Sequence, residues 1–402
     1  MRRCFALLRY APLLRRCFLL LAAADAAFDA RAALEAATAA DAWLSNGTAP
    51  ATWSITREAQ LEHFQLLSEG TAKSVRAATF KRRRVIVKSD RSSAHVHAFR
   101  GGKADAAAAS VAAMHRSELR AELVYLEYLR GLPGVPDLLG GWVDGAGVTY
   151  VVEDAGTPIH VVHHDSRMKD VNKYMMLARR RPLGVARAIL DCFRSFSEIG
   201  GFFLDDFAPH QFAFSGAPGS PRPPRVYLVD GPKALAGRSP VSDLIAAMPK
   251  PHALDARERA CESDDDCPGT SRQHCCCCPH KESTGVMAAE CAGRRRLVHH
   301  NAHTACADGS RGSPESKGLC NPRKRCVPLS SRTHSFDVGA KTWILPFLAD
   351  SADRGKRPRT ATFLRHLAAN MSYVGPWRRA SFSDAIAMLD AFNRSLGGEE
   401  AA

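Results

Sequence analysis

The sequence predicts an α+β protein in which a sheet-rich part is followed, from about residue 155, by a helix-rich part. Short apolar runs over 61–88 and 138–152 are typical of strands, and three- and four-residue apolar spacing after residue 168 is typical of helices. A cysteine-rich block at 261–326 interrupts the helical part. Of the 402 residues 46% are hydrophobic, so the chain can bury a substantial core, and a wholly disordered or collagen-like protein is excluded.

The first 27 residues predict a targeting segment. Five arginines and no acidic residue lie before residue 25, and an apolar run extends from Cys17 to Ala24. A basic leader, a short apolar stretch and small residues form a secretory signal in this order. The apolar run is shorter than the ~20 residues that span a bilayer. We expect a cleaved signal; the alternatives are a short uncleaved anchor, giving membrane attachment through this segment, and an organelle transit peptide.

The charge distribution does not favour a nucleic-acid partner. The formal net charge is +14, and five of these charges belong to the leader arginines. The other basic runs are scattered and contain no interleaved aromatic residues, unlike a nucleic-acid surface. We interpret them as a solvated face, with acidic substrates or sulfated glycans as the functional alternative. The runs are Lys81–Arg84, Arg179–Arg181, Arg294–Arg296 and Arg323–Arg325.

The cysteines indicate an oxidising compartment. An even number of them in a short block behind a secretory leader predicts disulfides, whose connectivity the sequence leaves open. Zinc is the alternative, because five histidines are interspersed, but two cleanly spaced C-x2-C pairs are missing. The candidates are Cys261, Cys267, Cys275, Cys276, Cys277, Cys278, Cys291, Cys306, Cys320 and Cys326. N-glycosylation patterns at Asn46, Asn370 and Asn393 weakly support the endoplasmic reticulum or Golgi lumen, or secretion.

The elements of the first part follow from local patterns. The Ala-rich stretch Ala32–Leu44 favours a helix, without evident chemistry. Apolar clusters over 61–88 predict successive antiparallel strands. Leucines at three- and four-residue spacing predict an amphipathic helix over Glu118–Arg130. The runs 138–143 and 148–152, separated by Asp-Gly, predict a hairpin.

The second part predicts helices on both sides of the cysteine-rich block. Apolar periodicity indicates two helices before the block, at 168–179 and 183–198. It returns after the block at Trp343–Leu348, Ala361–Met371 and Phe382–Phe392.

Four short motifs appear in an order that gives them weight. Ser68-Glu-Gly70-Thr-Ala-Lys73-Ser-Val75 has the register of the phosphate-covering loop G-x-G-x-x-G-x-V, and Val85-Ile-Val-Lys88 has the V-A-I-K form. Leu204-Asp-Asp206-Phe-Ala-Pro209-His-Gln211 has the register of H-R-D-L-K-P-E-N. Val226-Tyr-Leu-Val-Asp230-Gly-Pro has the register of a strand ending in D-F-G.

In these motifs the chain resembles a protein kinase, and within that fold the divergent protein kinase domain family of cysteine-rich, secretory-pathway proteins. The resemblance covers roughly residues 60 to 395. It implies a two-lobed fold with a disulfide-rich insertion in the activation-segment region of the large lobe. Ser335–Trp343 looks like the start of that lobe's long buried helix, and Trp377–Phe382 looks like the segment leading into its last helices.

The resemblance also implies a division of the chain into six segments. They are a signal or short anchor at 1–27, a helical leader at 28–59, the N-lobe at 60–155, the first part of the C-lobe at 156–260, the insertion at 261–326 and the last helices at 327–402.

The activity implied is transfer of the ATP γ-phosphate to a hydroxyl of a protein or glycan. Lys88 would hold the phosphates, and Glu122 would orient Lys88, with Glu118 one helical turn earlier as the alternative. Asp206 would accept or orient the proton of the hydroxyl. Asp230 would bind Mg²⁺ or Mn²⁺.

Other matched positions complete the implied site. Gln211 would be a second metal ligand, because its amide oxygen stands at the usual asparagine position. Ser68, Gly70 and Val75 would lie with Lys88 around the nucleotide.

Several positions depart from the family pattern. Ser68 and Lys73 replace two glycines, so the backbone can cover phosphates less closely. Leu204 and Asp205 replace the His-Arg pair, and Gly-Pro at 231–232 replaces Phe-Gly. A pseudokinase keeps the fold without transferring phosphate, so a binding or scaffold module in the secretory lumen is the alternative function.

Overall fold

A computed structural model of the chain describes residues 28–69, 73–90, 119–144, 147–159, 171–204, 209–217, 220–231, 233–234, 241, 244, 260–263, 266–267, 319–341 and 343–397. The predicted targeting segment at 1–27 and residues 268–318 of the cysteine-rich block lie outside these ranges. The described residues form a mixed α+β structure with an antiparallel sheet and several helices, which confirms the predicted class.

Five strands form the main sheet in the order β1-β2-β3-β5-β4, all antiparallel. Alternating side chains explain the strands: Val85 and Val87 fill one apolar cluster, while Ile86 between them packs against another. The strands predicted over 61–88 and the hairpin over 138–152 are therefore present. They are β1 (Glu62–Glu69), β2 (Lys73–Phe80), β3 (Arg83–Asp90), β4 (Leu138–Asp144) and β5 (Gly147–Glu153).

Two helices share a core with this sheet: α1 (Ala30–Asn46) and α2, whose described residues are 119–128. The Ala-rich α1 is capped by Asp29, whose carboxylate accepts hydrogen bonds from the first backbone N–H groups. The helix ends at Asn46, so it covers only part of the predicted helical leader at 28–59. Beyond it, Ile55 forms a parallel bridge to Gly140.

The second part is mainly helical and carries two small sheets. The helices are α3 (Val171–Arg180), α4 (Pro182–Phe193), which continues as a π-helical segment at Arg194–Ile199, α5 (Ser331–Ala340), α6 (Leu345–Arg354), α7 (Pro358–Met371) and α8 (Phe382–Ser395). The small strands are β6 (Thr157–Pro158), β7 (Phe202–Phe203), β8 (Phe212–Ser215), β9 (Arg225–Leu228) and β10 (Lys233–Ala234). They pair in the orders β6-β8-β9 and β10-β7.

The helix α5 corrects one prediction. Ser335–Trp343 does not begin a long helix, because α5 starts at Ser331 and ends at Ala340. Apolar periodicity does not show where this helix begins, because α5 buries polar side chains, among them His334 and Ser335. Both side chains form internal hydrogen bonds: His334 Nε2 accepts the Leu204 N–H at 3.0 Å, and Ser335 Oγ donates to the carbonyl oxygen of Ala380.

Two disulfides join the beginning of the cysteine-rich block to its end. Cys261 pairs with Cys320, and Cys267 pairs with Cys326. The four form a small apolar cluster apart from the main core. Disulfides of this kind are consistent with an oxidising secretory or extracellular compartment. The other six candidates lie outside the described residues: Cys275, Cys276, Cys277, Cys278, Cys291 and Cys306.

The three glycosylation candidates all lie on helices. Asn46 ends α1 and is exposed, Asn370 is exposed near the end of α7, and Asn393 on α8 is half-buried. Across the described ranges, no helix has both the length and the apolar character to span a membrane.

Candidate functional site

The centre of the candidate site is an ion pair between Lys88 on β3 and Glu122 on α2. Lys88 Nζ donates to Glu122 Oε1 and to the carbonyl oxygen of Val229. Both charged side chains are nearly inaccessible, with 7% of the lysine and 4% of the glutamate exposed. Tyr150 lies opposite Lys88 on β5, and its ring centroid is 5.8 Å from Nζ. A charge pair this deeply buried is retained only where each partner neutralises the other.

Asp230 joins the site from the end of β9. The strand leads to Val229, whose N–H donates to the carbonyl oxygen of Gln211 at 2.8 Å. The next residue after Asp230, Gly231, lies directly against α2: a Cβ at this position would stand 2.8 Å from Glu122 Cβ. The absence of a side chain at 231 is therefore what lets Asp230 approach Glu122.

Lys73 completes the cluster from the first position of β2. Its Nζ donates to Glu122 Oε2 at 2.6 Å and also to Asp230 Oδ1. Each oxygen of Glu122 thus holds one ammonium group, and Lys73 links Glu122 to Asp230. The side chain of Lys73 is 20% exposed, so it lies nearer to solvent than Lys88.

The electrostatics of the cluster differ between the two lysines. Burial acts to lower the pKa of Lys73, but Asp230 and Glu122 outweigh it, and the pKa is raised. Burial lowers the pKa of Lys88 below its usual value, and Lys73 adds to this effect, while Glu122 opposes it. Burial acts to raise the pKa of Glu122, but Lys73 and Lys88 hold it below its usual value. Lys73 and Glu122 are therefore firmly charged near neutral pH.

A divalent cation fits the donor types near Asp230. Its carboxylate, 41% exposed, and the amide oxygen of the buried Gln211 are the hard oxygen ligands that Mg²⁺ and Mn²⁺ take. The hydrogen bond between Val229 and Gln211 brings the two chain segments side by side. The ammonium of Lys73 already occupies one oxygen of Asp230.

A small, mostly apolar cavity adjoins Lys88 and Glu122. The residues that line it are Ile86, Lys88, Glu122, Leu126, Pro136, Val152, Glu153, Ala155, Leu228 and Val229.

The remaining predicted site residues are placed as follows. Val75 lies directly opposite both Ser68 on β1 and Lys88 on β3, and Ser68 is exposed. The structure thus brings together Lys88, Glu122 and Asp230. Val75 pairs with Lys88, and the carbonyl oxygen of Gln211 accepts the N–H of Val229, next to Asp230. Their catalytic roles stay predictions. Three predicted positions lie outside the described residues: Gly70, Glu118 and Asp206.

Lys73 is the site residue that motif matching missed, because the motif treats it only as a lost glycine. Strand alternation contains the signal. Lys73 and Val75 are two residues apart on β2 and so share a face, and Val75 pairs with Lys88. The register of β2 and β3 therefore places the two lysines on one face of the sheet.

No protein-family model matches the chain, and no curated protein matches its sequence significantly.

Proposed function

We propose that the chain is a protein kinase-like phosphotransferase of the secretory pathway that moves the γ-phosphate of ATP to a hydroxyl of a protein or glycan. The observation that carries this proposal is the convergence of Lys88, Glu122 and Asp230, from three separate elements, in one ion-paired cluster. Together with the order of the motifs, it supports a two-lobed kinase-like fold in which the main sheet and α2 form the smaller lobe.

Phosphoryl transfer needs positioning and charge stabilisation more than covalent participation by the protein. The hydroxyl oxygen forms a bond to the γ-phosphorus, the bond to the bridging oxygen breaks, and its electron pair leaves with ADP. Asp206 takes the hydroxyl proton. Lys88, fixed by Glu122, binds the phosphates. A divalent cation at Asp230 and Gln211 would neutralise charge that develops on the phosphate oxygens.

A binding or scaffold module that does not transfer phosphate is the second candidate. The contact between Lys73 and Asp230 favours it, because it engages the carboxylate that the transfer reaction assigns to the metal. The leader and the two disulfides support the secretory compartment for either function.

Nucleotide binding is the first test. The full chain should melt at a higher temperature with ATP and Mg²⁺ or Mn²⁺, because a ligand that binds only the folded state stabilises it by about 2.7 kcal/mol at one hundred times its Kd. Lys88→Met should show no rise, and Asp230→Ala should lose the part of the rise that depends on the cation. Lys81→Met, at an exposed lysine of the β2–β3 turn, is the matched control and should behave as wild type. No rise in wild type would contradict the proposal.

Product formation separates the two candidates. Release of ADP together with a phosphorylated hydroxyl supports transfer, and Asp206→Asn should abolish it while the ATP-dependent rise in melting temperature persists. ATP binding without either product supports the binding module.

A further inference from the structure

We propose that Lys73 is a second phosphate-binding cation of this cleft, and that it supplies at Asp230 the positive charge for which phosphate binding otherwise needs a divalent metal. The inference rests on the proposed function, and it concerns how the cleft takes a nucleoside triphosphate.

The direction of the side chain is fixed by the sheet. Lys73 pairs with Asp90 and Val75 pairs with Lys88, so both lysines project from the same face of neighbouring strands. Lys73 is the first residue of β2 and belongs to the segment with the register of the phosphate-covering loop. A ligand phosphate held by Lys88 would therefore lie within the reach of Lys73.

The contacts of Lys73 match those of a cation at a phosphate site. Its ammonium bridges Glu122 and Asp230, and it is more exposed than that of Lys88. An ammonium has three N–H donors, so one further acceptor can be added without breaking either carboxylate contact. A phosphate oxygen is such an acceptor, and its hydrogen bond to an ammonium is charge-assisted.

Lys73 changes the net charge of the cluster. Lys88, Glu122 and Asp230 alone would carry one net negative charge and would repel phosphates unless a divalent cation were present. With Lys73 the four charges balance. The cluster can then bind a polyphosphate by adding only hydrogen bonds from the two ammonium groups, because no net charge opposes the ligand.

The test measures ATP affinity of the full chain by calorimetry, once with EDTA and once with Mg²⁺. We expect wild type to bind in both buffers, with affinities within about fivefold of each other. Lys73→Met should lose at least about tenfold in EDTA, the size of one charge-assisted hydrogen bond, and should recover most of this loss with Mg²⁺. Lys73→Arg should keep binding in EDTA, and Lys81→Met should match wild type in both buffers.

The outcomes that overturn the inference are distinct. If wild type binds ATP only with Mg²⁺, or if Lys73→Met binds as wild type does in EDTA, Lys73 does not replace the metal, and the proposed function stands. If wild type binds in neither buffer, the proposed function fails and the role of Lys73 fails with it. Circular dichroism of each variant checks that it is folded. If Lys73→Met is not folded, Lys73→Arg still tests the inference, because a folded Lys73→Arg that fails to bind ATP in EDTA would contradict it.

Discussion

Glu122 is the residue on which the charges of the cleft depend. Its two carboxylate oxygens hold two ammonium groups from different strands, and Gly231 packs against its Cβ. Removing one partner from a buried ion pair leaves the other partner uncompensated, at a cost of about 3–5 kcal/mol. Here one substitution would leave Lys88 without its carboxylate partner, while Lys73 would keep Asp230.

The stability of the chain should therefore depend on pH through Glu122. Its pKa is lowered in the folded state by Lys73 and Lys88, against the effect of burial, so below its ordinary value of about 4.5 the unfolded chain binds a proton that the folded chain does not. The contribution of Glu122 to the unfolding free energy is fully present above that pH. It falls as the pH drops, with a slope of up to about 1.4 kcal/mol per pH unit.

Glu122→Gln tests this dependence in chemical denaturation between pH 3 and 7, a range of about four units. We expect the unfolding free energy of the variant to be about 3 kcal/mol lower than that of wild type at neutral pH. In acid it should fall less steeply with pH than in wild type, because the variant lacks the one proton that unfolding takes up at Glu122. Equal acid slopes in the two proteins would assign the acid sensitivity to other carboxylates.

At the scale of elements, α1 and the chain after it hold α2 in place. Asp41 on α1 accepts two hydrogen bonds from the guanidinium of Arg120 on α2. Trp53 Nε1 donates to Glu127 Oε1 at 2.7 Å, and the rings of Trp43 and Trp53 meet edge to face at 4.7 Å. The described part of the helix that carries Glu122 is thus tied to the N-terminal segment near its first and last residues.

Trp43→Ala should weaken this attachment strongly. Trp43 is almost wholly buried, so its loss should cost about 3–5 kcal/mol of unfolding free energy, measured by denaturant titration. Trp377→Ala is the matched control: that ring is 60% exposed, and its loss should change stability by less than about 0.5 kcal/mol. Similar losses in the two variants would mean that α1 does not pack as described.

The strength of the local signal decided which elements could be predicted. The strands and the hairpin carry strong apolar patterns and were predicted well. The docking of α1 was not, because alanines such as Ala37 and Ala40 give a buried helix face little contrast. The start of α5 was missed because its buried residues are polar, and Lys73 was missed because only strand pairing brings it to Lys88.

At the scale of the molecule, the two disulfides join the ends of one long excursion of the chain. Each closes a separation of 59 residues, and the sequence could not choose these partners because pairing depends on distant contacts. The first link removes about 4 kcal/mol of unfolded-state entropy; the second closes only the short loop that remains, worth about 3 kcal/mol.

Removing either pair by Cys→Ala substitution should therefore cost about 3 kcal/mol, because the other pair still closes the long loop. Removing both pairs should cost more than twice as much, on the order of 7 kcal/mol. Melting of the single-pair and double-pair variants without reductant measures this difference. Strictly additive losses would contradict the shared-loop argument.

The same two bridges have a consequence for the integrity of the polypeptide. Because both join the flanks of residues 268–319, a peptide bond cut anywhere in that segment leaves the two fragments linked by two covalent bonds. A cleaved molecule would migrate as one species on a denaturing gel without reductant and as two species with it. A cut in this segment would therefore release neither fragment.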